Sequence, residues 1–475
     1  MTVRVVVIGG GISGLAVAHR LTELSRQRQL SLSVTLLEAS DRFGGVIETQ
    51  RAHGFLLESG PDAFLAEKPW AEALCRRLGL AEELIDTQPA HRRSFLVANG
   101  RLVPVPSGWY LVAPARLAAL WQAPMLSWSG KLRIALEPLI PPRRDRADES
   151  VASFLRRRFG REALIRIGQP MVGGIYTADV EQLSLRAALP ALAEMERTHG
   201  SVLRGLRART SNGATAEASG PRYRLFVTLR GGLQTLVDAL IQRMPEVALR
   251  SRARVTHLAA GPAWTIALQD GQSLQAEAVC LALPADRAAA LLGSISPSAA
   301  KELAAIPYES VATVNLAFRR ADVPHALDGF GLVVPAVERR GIVGCTFSSV
   351  KFSGRAPEGS VLLRAFVGGA LHRAMVELDD AGMQRMVRRE LRELLGIEAE
   401  PQFSSVRRFP RAMPQYHVGH LSRVEAAEAK LRRYPTLFLT GNGYRGIGIP
   451  DCIAQAESAA QRMFDQLAAG ASHGR

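Results

Sequence analysis

Three glycines and one glutamate near the N-terminus have the types and the spacing that bind a dinucleotide. Gly9, Gly11 and Gly14 stand in GxGxxG spacing, and Glu38 follows 24 residues after the last of them. Such glycines permit a tight turn, close approach of the backbone to a pyrophosphate, and close packing of a helix on a strand. A helix that begins in this loop directs free N–H groups at the phosphates, while Glu38 can accept hydrogen bonds from a ribose diol.

The residues around these glycines predict the elements that position them. Residues 3–8, VRVVVI, are mostly β-branched, as in a strand buried on both faces. A helical pattern of apolar residues begins at Leu15, and residues 31–40, SLSVTLLEAS, predict a second strand that ends at Glu38. Strand, glycine loop, helix, strand and acid in this order predict a Rossmann-type fold far more specifically than the glycines alone.

A second glycine element indicates which dinucleotide is bound. After the first element the chain reads EASDRFGG, with the spacing E-x3-R-x-G-G, and the segment ESGPDAF follows. This combination resembles the glutathione-reductase-like flavoproteins in their amine-oxidase branch, which implies FAD as the cofactor. In that branch the arginine and the paired glycines pass along the diphosphate and ribityl chain of FAD. Arg42 is a suitable charge partner for a diphosphate, although without Gly44 and Gly45 a surface arginine would be the favoured interpretation.

A third glycine-rich segment, GNGYRGIGIPDCI, runs from Gly441 to Ile453 near the C-terminus. We predict a short strand over residues 437–440, a loop over 441–448 and a helix over 451–464. The resemblance implies that the loop closes beside the flavin ring. The positive end of the helix dipole could then stabilise negative charge on reduced flavin. The alternative is a plain strand–loop–helix that closes a sheet, which needs fewer glycines.

Further motifs, in family order over nearly the full length, are similar to those of the oxygen-dependent protoporphyrinogen oxidase family. They include GGIYTADVEQLSL, FVTLRGGLQTLVDAL, DGFGLVVP, AFVGG and PQYHVGH. The resemblance implies an α/β fold (α+β overall), with a glutathione-reductase-like FAD-binding Rossmann domain, a mixed-sheet substrate domain and a helical membrane-binding domain. The implied boundaries are 1–90, 222–300 and 405–475 for the FAD domain, 91–207 for the helical domain, and 208–221 with 301–404 for the substrate domain.

The resemblance also implies an activity, the oxidation of protoporphyrinogen IX to protoporphyrin IX. Six electrons leave in three flavin turnovers, and dioxygen becomes hydrogen peroxide. Because the cofactor carries the redox step, we expect no catalytic side chain and no metal. His417 and His420 are spaced i, i+3 but lack a third ligand. The open alternatives are coproporphyrinogen III oxidation by the same chemistry, an amine oxidase, and a non-catalytic binding protein on the same scaffold.

Matching to the family assigns the site residues. The implied FAD-binding residues are Gly9, Gly10, Gly11, Ile12, Ser13, Gly14, Glu38, Ala39, Arg42, Gly44, Gly45, Gly60, Pro61, Asp62, Ala63, Val255, Phe409, Ile447, Gly448 and Ile449. The implied tetrapyrrole-binding residues are Asp62 at the mouth of the site, Gly174 where a small residue admits the ligand, and Val333, Phe347 and Phe366 as apolar walls. Independently, the propionates of an apolar macrocycle need cations at its rim, so Arg92 or Arg93 is a hypothesis for that role.

The overall composition limits the range of partners. The net charge of +15 could serve nucleic acid, an anionic membrane or an anionic ligand, or could reflect the arginine usage of a GC-rich genome. No nucleic-acid motif is present, so we expect no nucleic-acid partner. The four cysteines lack zinc or redox spacing, as in a cytoplasmic protein. The resemblance adds a homodimer and product hand-over to ferrochelatase as partners to test.

The segment of residues 92–207 has a different composition from the rest. Trp109, Tyr110, Trp121 and Trp128 stand among leucines and basic residues, which is typical of a surface in a lipid interface but equally of an ordinary helical core. No apolar stretch is long enough to span a bilayer. We therefore expect a cytoplasmic protein that associates peripherally with the inner membrane. Residues 148–150 are predicted to cap a helix, and residues 156–158, all arginine, to form a solvated face.

Overall fold

The structure is a computed structural model that describes residues 2–91, 93–106, 108–110, 112–145, 147–211 and 226–473. Arg92 and residues 212–221 of the predicted substrate domain therefore lie outside the described residues. The β-strands are β1 Val3–Ile8, β2 Leu32–Leu37, β3 Thr49–Ala52, β4 Phe55–Glu58, β5 Phe64–Leu65, β6 Leu84–Asp86, β7 Phe95–Ala98, β8 Arg101–Pro104, β9 Trp109–Tyr110, β10 Ala113–Pro114, β11 Phe226–Leu229, β12 Ala248–Arg250, β13 Val255–Ala259, β14 Trp264–Leu268, β15 Ser273–Ala276, β16 Ala278–Leu281, β17 Tyr308–Arg319, β18 Gly331–Val333, β19 Gly344–Phe347, β20 Ser360–Gly368, β21 Phe403–Pro414 and β22 Leu437–Leu439. The α-helices are α1 Ile12–Arg28, α2 Pro69–Arg77, α3 Leu117–Trp121, α4 Trp128–Ala135, α5 Val151–Phe159, α6 Arg161–Ala163, α7 Gln169–Tyr176, α8 Leu185–Ala188, α9 Pro190–His199, α10 Val202–Ser211, α11 Gln234–Gln242, α12 Ala285–Leu292, α13 Pro297–Ala304, α14 Ser348–Lys351, α15 Arg373–Val376, α16 Asp380–Leu395, α17 His420–Leu431 and α18 Ile449–His473.

A five-stranded parallel sheet brings the two ends of the chain together. Its strand order is β12–β2–β1–β16–β22, with β1 in the middle. Apolar residues of α1, α2, α11 and α18 pack in one core with those of β1, so the first and last long helices lie side by side. The predicted order of strand, glycine loop, helix and strand is present, and the C-terminal strand–loop–helix joins the same sheet.

A seven-stranded sheet has the order β21–β17–β20–β19–β18–β7–β8. It is antiparallel except where β18 runs parallel to β7. Apolar residues on one of its faces pack against α16. This helix lies within residues 301–404, which the resemblance assigned to the mixed-sheet substrate domain. Its apolar residues recur at helical spacing, and the Asp379 side chain caps it by accepting a hydrogen bond from Gly382 N.

The seven-stranded sheet crosses two of the predicted domain boundaries. The pair β7–β8, assigned to the helical domain, forms the edge of the seven-stranded sheet, and β21 continues that sheet as far as Pro414. The predicted boundaries lie where the amino-acid composition or the family motifs change. Hydrogen bonding between strands continues across these positions. The division into three domains otherwise stays a prediction, while the fold as a whole is mixed α/β.

The helical segment has a hydrophobic core of its own. One prediction for this segment, the exposure of its three consecutive arginines, is wrong in part. Ser150 caps α5 as predicted, since its Oγ accepts a hydrogen bond from Ser153 N at 3.1 Å. The expected solvated arginine face is wrong for Arg158, which is fully buried with its Nε 2.7 Å from an oxygen of the buried Glu137. A buried charge is tolerated here because the carboxylate and backbone carbonyls pair with it.

The tryptophans of this segment divide between the two open alternatives. Trp109 is partly buried and donates Nε1–H to the Ala119 carbonyl, as a core residue would. Trp121 and Trp128 are 43% and 75% exposed. They belong to an exposed patch that we define by the apolar residues Leu117, Trp121, Trp128, Leu132, Leu136 and Leu139. No helix in the described part of the chain is long and apolar enough to cross a membrane.

Candidate functional site

A cavity of about 610 Å³ lies where the glycine segments meet the seven-stranded sheet. It collects residues that are hundreds of positions apart in the chain, including Gly11 and Gly448. The predicted site residues that line it are Gly11, Ile12, Ser13, Gly44, Gly60, Pro61, Ala63, Gly174, Phe366, Phe409, Ile447, Gly448 and Ile449. The volume lies in the range of ligand-binding cavities.

The first glycine loop fits a diphosphate. A Cβ on Gly14 would lie 1.8 Å from the Gly9 carbonyl oxygen, so this position requires glycine for packing of α1 on β1. A Cβ on Gly11 would meet nothing closer than 4.0 Å, because this glycine borders the cavity. No side chain caps α1, and its first turn holds no acidic residue. The free N–H groups of that turn are therefore available for an anion.

Glu38 lies beside this loop, held by the backbone. Its Oε2 accepts a hydrogen bond from Gly10 N at 2.7 Å, and its Oε1 accepts one from Ser40 N at 2.7 Å. The Glu38 carbonyl accepts from Ala253 N, which places β13 and its first residue Val255 next to the same corner. These positions suit an adenosine half, and ribose and adenine contacts stay predictions.

Arg42 is hydrogen-bonded to the second glycine element. Its guanidinium donates to the carbonyls of Gly45 and Ile47 and to Oε1 of Gln234. The backbone of Gly44 has a left-handed φ of +106°. The hydrogen bonds of Arg42 hold the turn that follows this glycine. Arg42 thus stabilises the backbone of the second glycine element. Its direct contact with a diphosphate stays a prediction.

Asp62 does not line the cavity, although its neighbours Pro61 and Ala63 do. Its Oδ2 lies 2.9 Å from the Nζ of Lys351, a buried lysine at the end of α14. Burial alone would raise the pKa of Asp62, but the charges of Lys351 and Arg364 outweigh it and lower the pKa to about 2. Asp62 is thus held in an ion pair beside the cavity, and its contacts with FAD and with the substrate stay predictions.

The C-terminal loop rests on an aromatic cluster that sequence reasoning missed. The Tyr416 hydroxyl accepts a hydrogen bond from Gly446 N at 2.9 Å and donates to the Asn442 carbonyl. The His420 ring stacks on Tyr416 at 3.9 Å, and its Nε2–H donates to the Tyr444 carbonyl at 2.7 Å. Burial lowers the pKa of His420 to about 4. The motif PQYHVGH therefore supports the loop that lines the cavity.

The opposite wall is one face of the seven-stranded sheet. Cross-strand register places Val333, Gly344, Phe366 and Thr313 in one row across four strands. Phe366 lines the cavity. A Cβ on Gly174, across the gap, would lie 3.6 Å from Val333 Cγ1, so this glycine leaves space beside the row.

Phe347 was expected in this wall, and the structure corrects that expectation. Side chains alternate between the two faces of a strand, so Phe347 points away from the face that carries Gly344. It is fully buried in the core under α16. A family match locates a position in the chain, but the pleat decides which face receives the side chain.

Among the described residues, three arginines line the cavity, and Arg93 is not one of them. Arg287, Arg364 and Arg411 contribute to its wall. Arg93 instead pairs with the Asp328 carboxylate and donates to the Asp328 carbonyl. In the described ranges, no cluster of His, Cys, Asp or Glu has the arrangement of a metal site. Burial raises the pKa of the Cys452 thiol, in the cavity wall, to about 12.

Comparison with known proteins identifies the family. The sequence model of flavin containing amine oxidoreductase matches residues 12–464. Coproporphyrinogen III oxidase of Bacillus subtilis (strain 168) is 35% identical, over 98% of this chain and 98% of its own. Protoporphyrinogen oxidase 1, chloroplastic, of Arabidopsis thaliana is 32% identical, over 96% of this chain and 87% of its own.

Solved structures agree with the sequence comparison. The crystal structure of a candidate protoporphyrinogen oxidase from Exiguobacterium sp. 255-15 superposes with a TM-score of 0.86 at 29% identity, covering 98% of this chain and 99% of that one. Together with the glycine loop and the cavity that both chain ends line, these findings assign FAD as the cofactor. The chain belongs to the flavin-containing amine oxidoreductase family and is an FAD-dependent oxidoreductase.

Proposed function

We propose that this enzyme oxidises protoporphyrinogen IX to protoporphyrin IX in haem biosynthesis, with dioxygen as the electron acceptor. The observation that carries the proposal is the shared cavity, in which the glycine loops face the row of the seven-stranded sheet that contains Phe366. A flat apolar ligand would lie between that row and the C-terminal loop. The names of the relatives support a tetrapyrrole as this ligand.

The chain's own residues position the reactants. FAD, when bound, supplies the acceptor for the electrons removed in each step. Phe366 and the space beside Gly174 would hold the macrocycle, and the loop of residues 441–448 would fix the face on which it lies. Tyr416 and His420 keep that loop in place from the other side. Apolar residues of the cavity wall, such as Phe366, would shield the reacting carbon from water.

Coproporphyrinogen III is a second candidate substrate, and one structural observation favours it. It carries four carboxylates where protoporphyrinogen IX carries two, and the described residues place three arginines in the cavity wall. The relatives from Propionibacterium freudenreichii and Staphylococcus aureus, at 36% and 30% identity, are also named coproporphyrinogen III oxidase. The same scaffold would serve either substrate, with the rim charges deciding between them.

A competition assay tests the function and separates the two substrates. Each porphyrinogen is supplied to the holoenzyme in air, and porphyrin fluorescence and hydrogen peroxide are measured. We expect porphyrin formation with peroxide released in proportion. A higher kcat/KM for coproporphyrinogen III would make it the substrate, whereas oxidation of simple amines with neither porphyrinogen consumed would contradict the proposal.

The exposed patch supports peripheral membrane association as part of the proposal. Tryptophan is favoured at the boundary between lipid headgroups and acyl chains. Lys131 Nζ lies 5.1 Å from the Trp128 ring and donates to the Trp121 backbone carbonyl, so one buried cation contacts both of these residues. A location at the inner membrane, a homodimer and hand-over of product to ferrochelatase are proposals that vesicle binding, sedimentation and product-trapping assays test.

A further inference from the structure

Arg364 is a buried cation in the cavity wall that has no ion-pair partner among the described residues. It is 4% exposed, and neither its Nε nor its Nη1 has a hydrogen-bond partner in the described part of the chain. A guanidinium does not lose its proton in proteins. Burying its charge without a counter-ion is unfavourable, so this position is explained best by an anion that the cavity receives.

The carboxylates nearest to Arg364 are engaged elsewhere. Asp62 pairs with Lys351 at 2.9 Å. Glu58 accepts hydrogen bonds from Leu233 N and from the Thr49 hydroxyl, each at 2.8 Å. Both therefore lower the potential around Arg364 from a distance without forming an ion pair with it.

The cross-strand neighbour of Arg364 is neutral. Asn315 lies directly opposite on β17, and its Oδ1 also lacks a partner among the described residues. A side-chain rotation could join this oxygen to one guanidinium N–H. An amide oxygen would satisfy a donor in that way but would leave the positive charge uncompensated.

The guanidinium also has a fixed relation to the proposed macrocycle wall. Arg364 and Phe366 are two residues apart on β20 and therefore share the face that borders the cavity. The guanidinium carbon lies 4.7 Å from the Phe366 ring centre. A ligand that covers this ring would bring a side arm of one or two carbons within reach of Arg364.

We propose that Arg364 is a carboxylate-binding residue of this cavity and anchors one propionate of the substrate. The inference rests on the proposed porphyrinogen oxidation, since it assigns a partner to a group of that substrate. A charge-assisted bond in a buried site is stronger than a bond between neutral groups. Removing it should weaken binding of the acid about 10- to 100-fold.

The test compares a diacid with its neutral ester. Protoporphyrin IX and its dimethyl ester are titrated into oxidised holoenzyme, and binding is followed by porphyrin fluorescence. In Arg364→Gln we expect the affinity for the diacid to fall about 10- to 100-fold and that for the ester to change less than about 2-fold. Arg364→Lys, which keeps the charge, should restore part of the loss.

The matched control is Arg407→Gln. Arg407 lies on the same sheet face but is paired with Glu48 at 3.2 Å, so both ligands should bind as in the wild type. FAD content per chain confirms that each variant is folded. If Arg364→Gln lost equal affinity for the acid and the ester, or lost affinity for neither, the proposed role of Arg364 would be overturned. The proposed function would not be affected by that result. Failure of the wild type to bind either porphyrin would instead overturn the proposed function, and the inference with it.

Discussion

One wall of the cavity depends on the backbone and the other depends on side chains. The cofactor-side wall depends on backbone: Gly14 and Gly60 each sit where an added Cβ would lie 1.8 Å from a carbonyl oxygen. The substrate-side wall depends on which side chains one sheet face presents, as the contrast of Phe366 with Phe347 shows. At Gly14 and Gly60 the first wall has no space for a side chain, whereas strand register decides which side chains the second wall presents.

Glycine substitutions in the first loop should have the largest effect. In Gly14→Ala the new Cβ meets the Gly9 carbonyl at 1.8 Å, so α1 cannot pack on β1, and we expect little soluble protein and no bound FAD. In Gly11→Ala the new Cβ meets nothing closer than 4.0 Å. This variant should fold within ~1 kcal/mol of the wild type but lose FAD affinity.

Denaturant unfolding and FAD content per chain measure this pair. If Gly11→Ala retained wild-type FAD affinity, the cavity side of the loop would not be where the diphosphate approaches. If Gly14→Ala folded normally, the backbone account of this wall would be wrong.

On the sheet wall, substitutions of two phenylalanines distinguish a core position from a position in the site. Phe347→Ala should destabilise the protein by about 3–5 kcal/mol, because a fully buried ring leaves a cavity, and should leave KM unchanged in the fraction that folds. Phe366→Ala should keep most of the stability and raise KM. The opposite pattern in urea unfolding and steady-state kinetics would place the macrocycle on the other face of the sheet.

His420 predicts a pH dependence on the cofactor side. Its pKa in the folded protein is about 4, below the ordinary 6.5, so the stabilisation from its neutral form is complete above pH 6.5 and is lost as the pH falls toward 4. The loss is at most ~3 kcal/mol. We expect FAD release to accelerate over this window, and His420→Gln should flatten the profile. An unchanged profile in the variant would remove His420 from the support of the loop.

The smallest effect concerns the exposed patch, which lies away from both walls. Trp128→Ser combined with Leu139→Ser should weaken binding to anionic lipid vesicles in flotation assays, with kcat unaltered, because these side chains are 75% and 74% exposed. Trp70→Ser is the matched control, since Trp70 is 42% exposed and lies on α2, outside the patch. Equal vesicle binding by all three proteins would exclude the patch as the lipid contact.

The same contrast explains what could be predicted from the sequence. Glycine spacing reports backbone requirements directly, so the loop before α1, the second glycine element and the strand–loop–helix at the C-terminus were located correctly. The position of Phe347 depends on the pleat and that of Asp62 on its ion pair with Lys351, which is 289 residues distant in the chain. Neither dependence leaves a local signal.

Arg364 and the Tyr416–His420 cluster show a further limit. Both depend on contacts with segments that are not adjacent in sequence, and the histidine was considered only as a metal ligand. The aromatic residues that flank a glycine-rich loop were the available signal. A buried arginine is recognisable only once the buried face of its strand or helix is known, and Arg158 on α5 was wrongly predicted for that reason.

The most direct test is anaerobic mixing of the oxidised holoenzyme with protoporphyrinogen IX while flavin absorbance is followed. If one cavity holds both molecules face to face, the flavin bleaches without added mediator, and each porphyrinogen reduces up to three flavins. Admission of air should then restore the flavin spectrum. A flavin that stays oxidised in the presence of bound protoporphyrinogen and bound coproporphyrinogen would contradict the shared cavity.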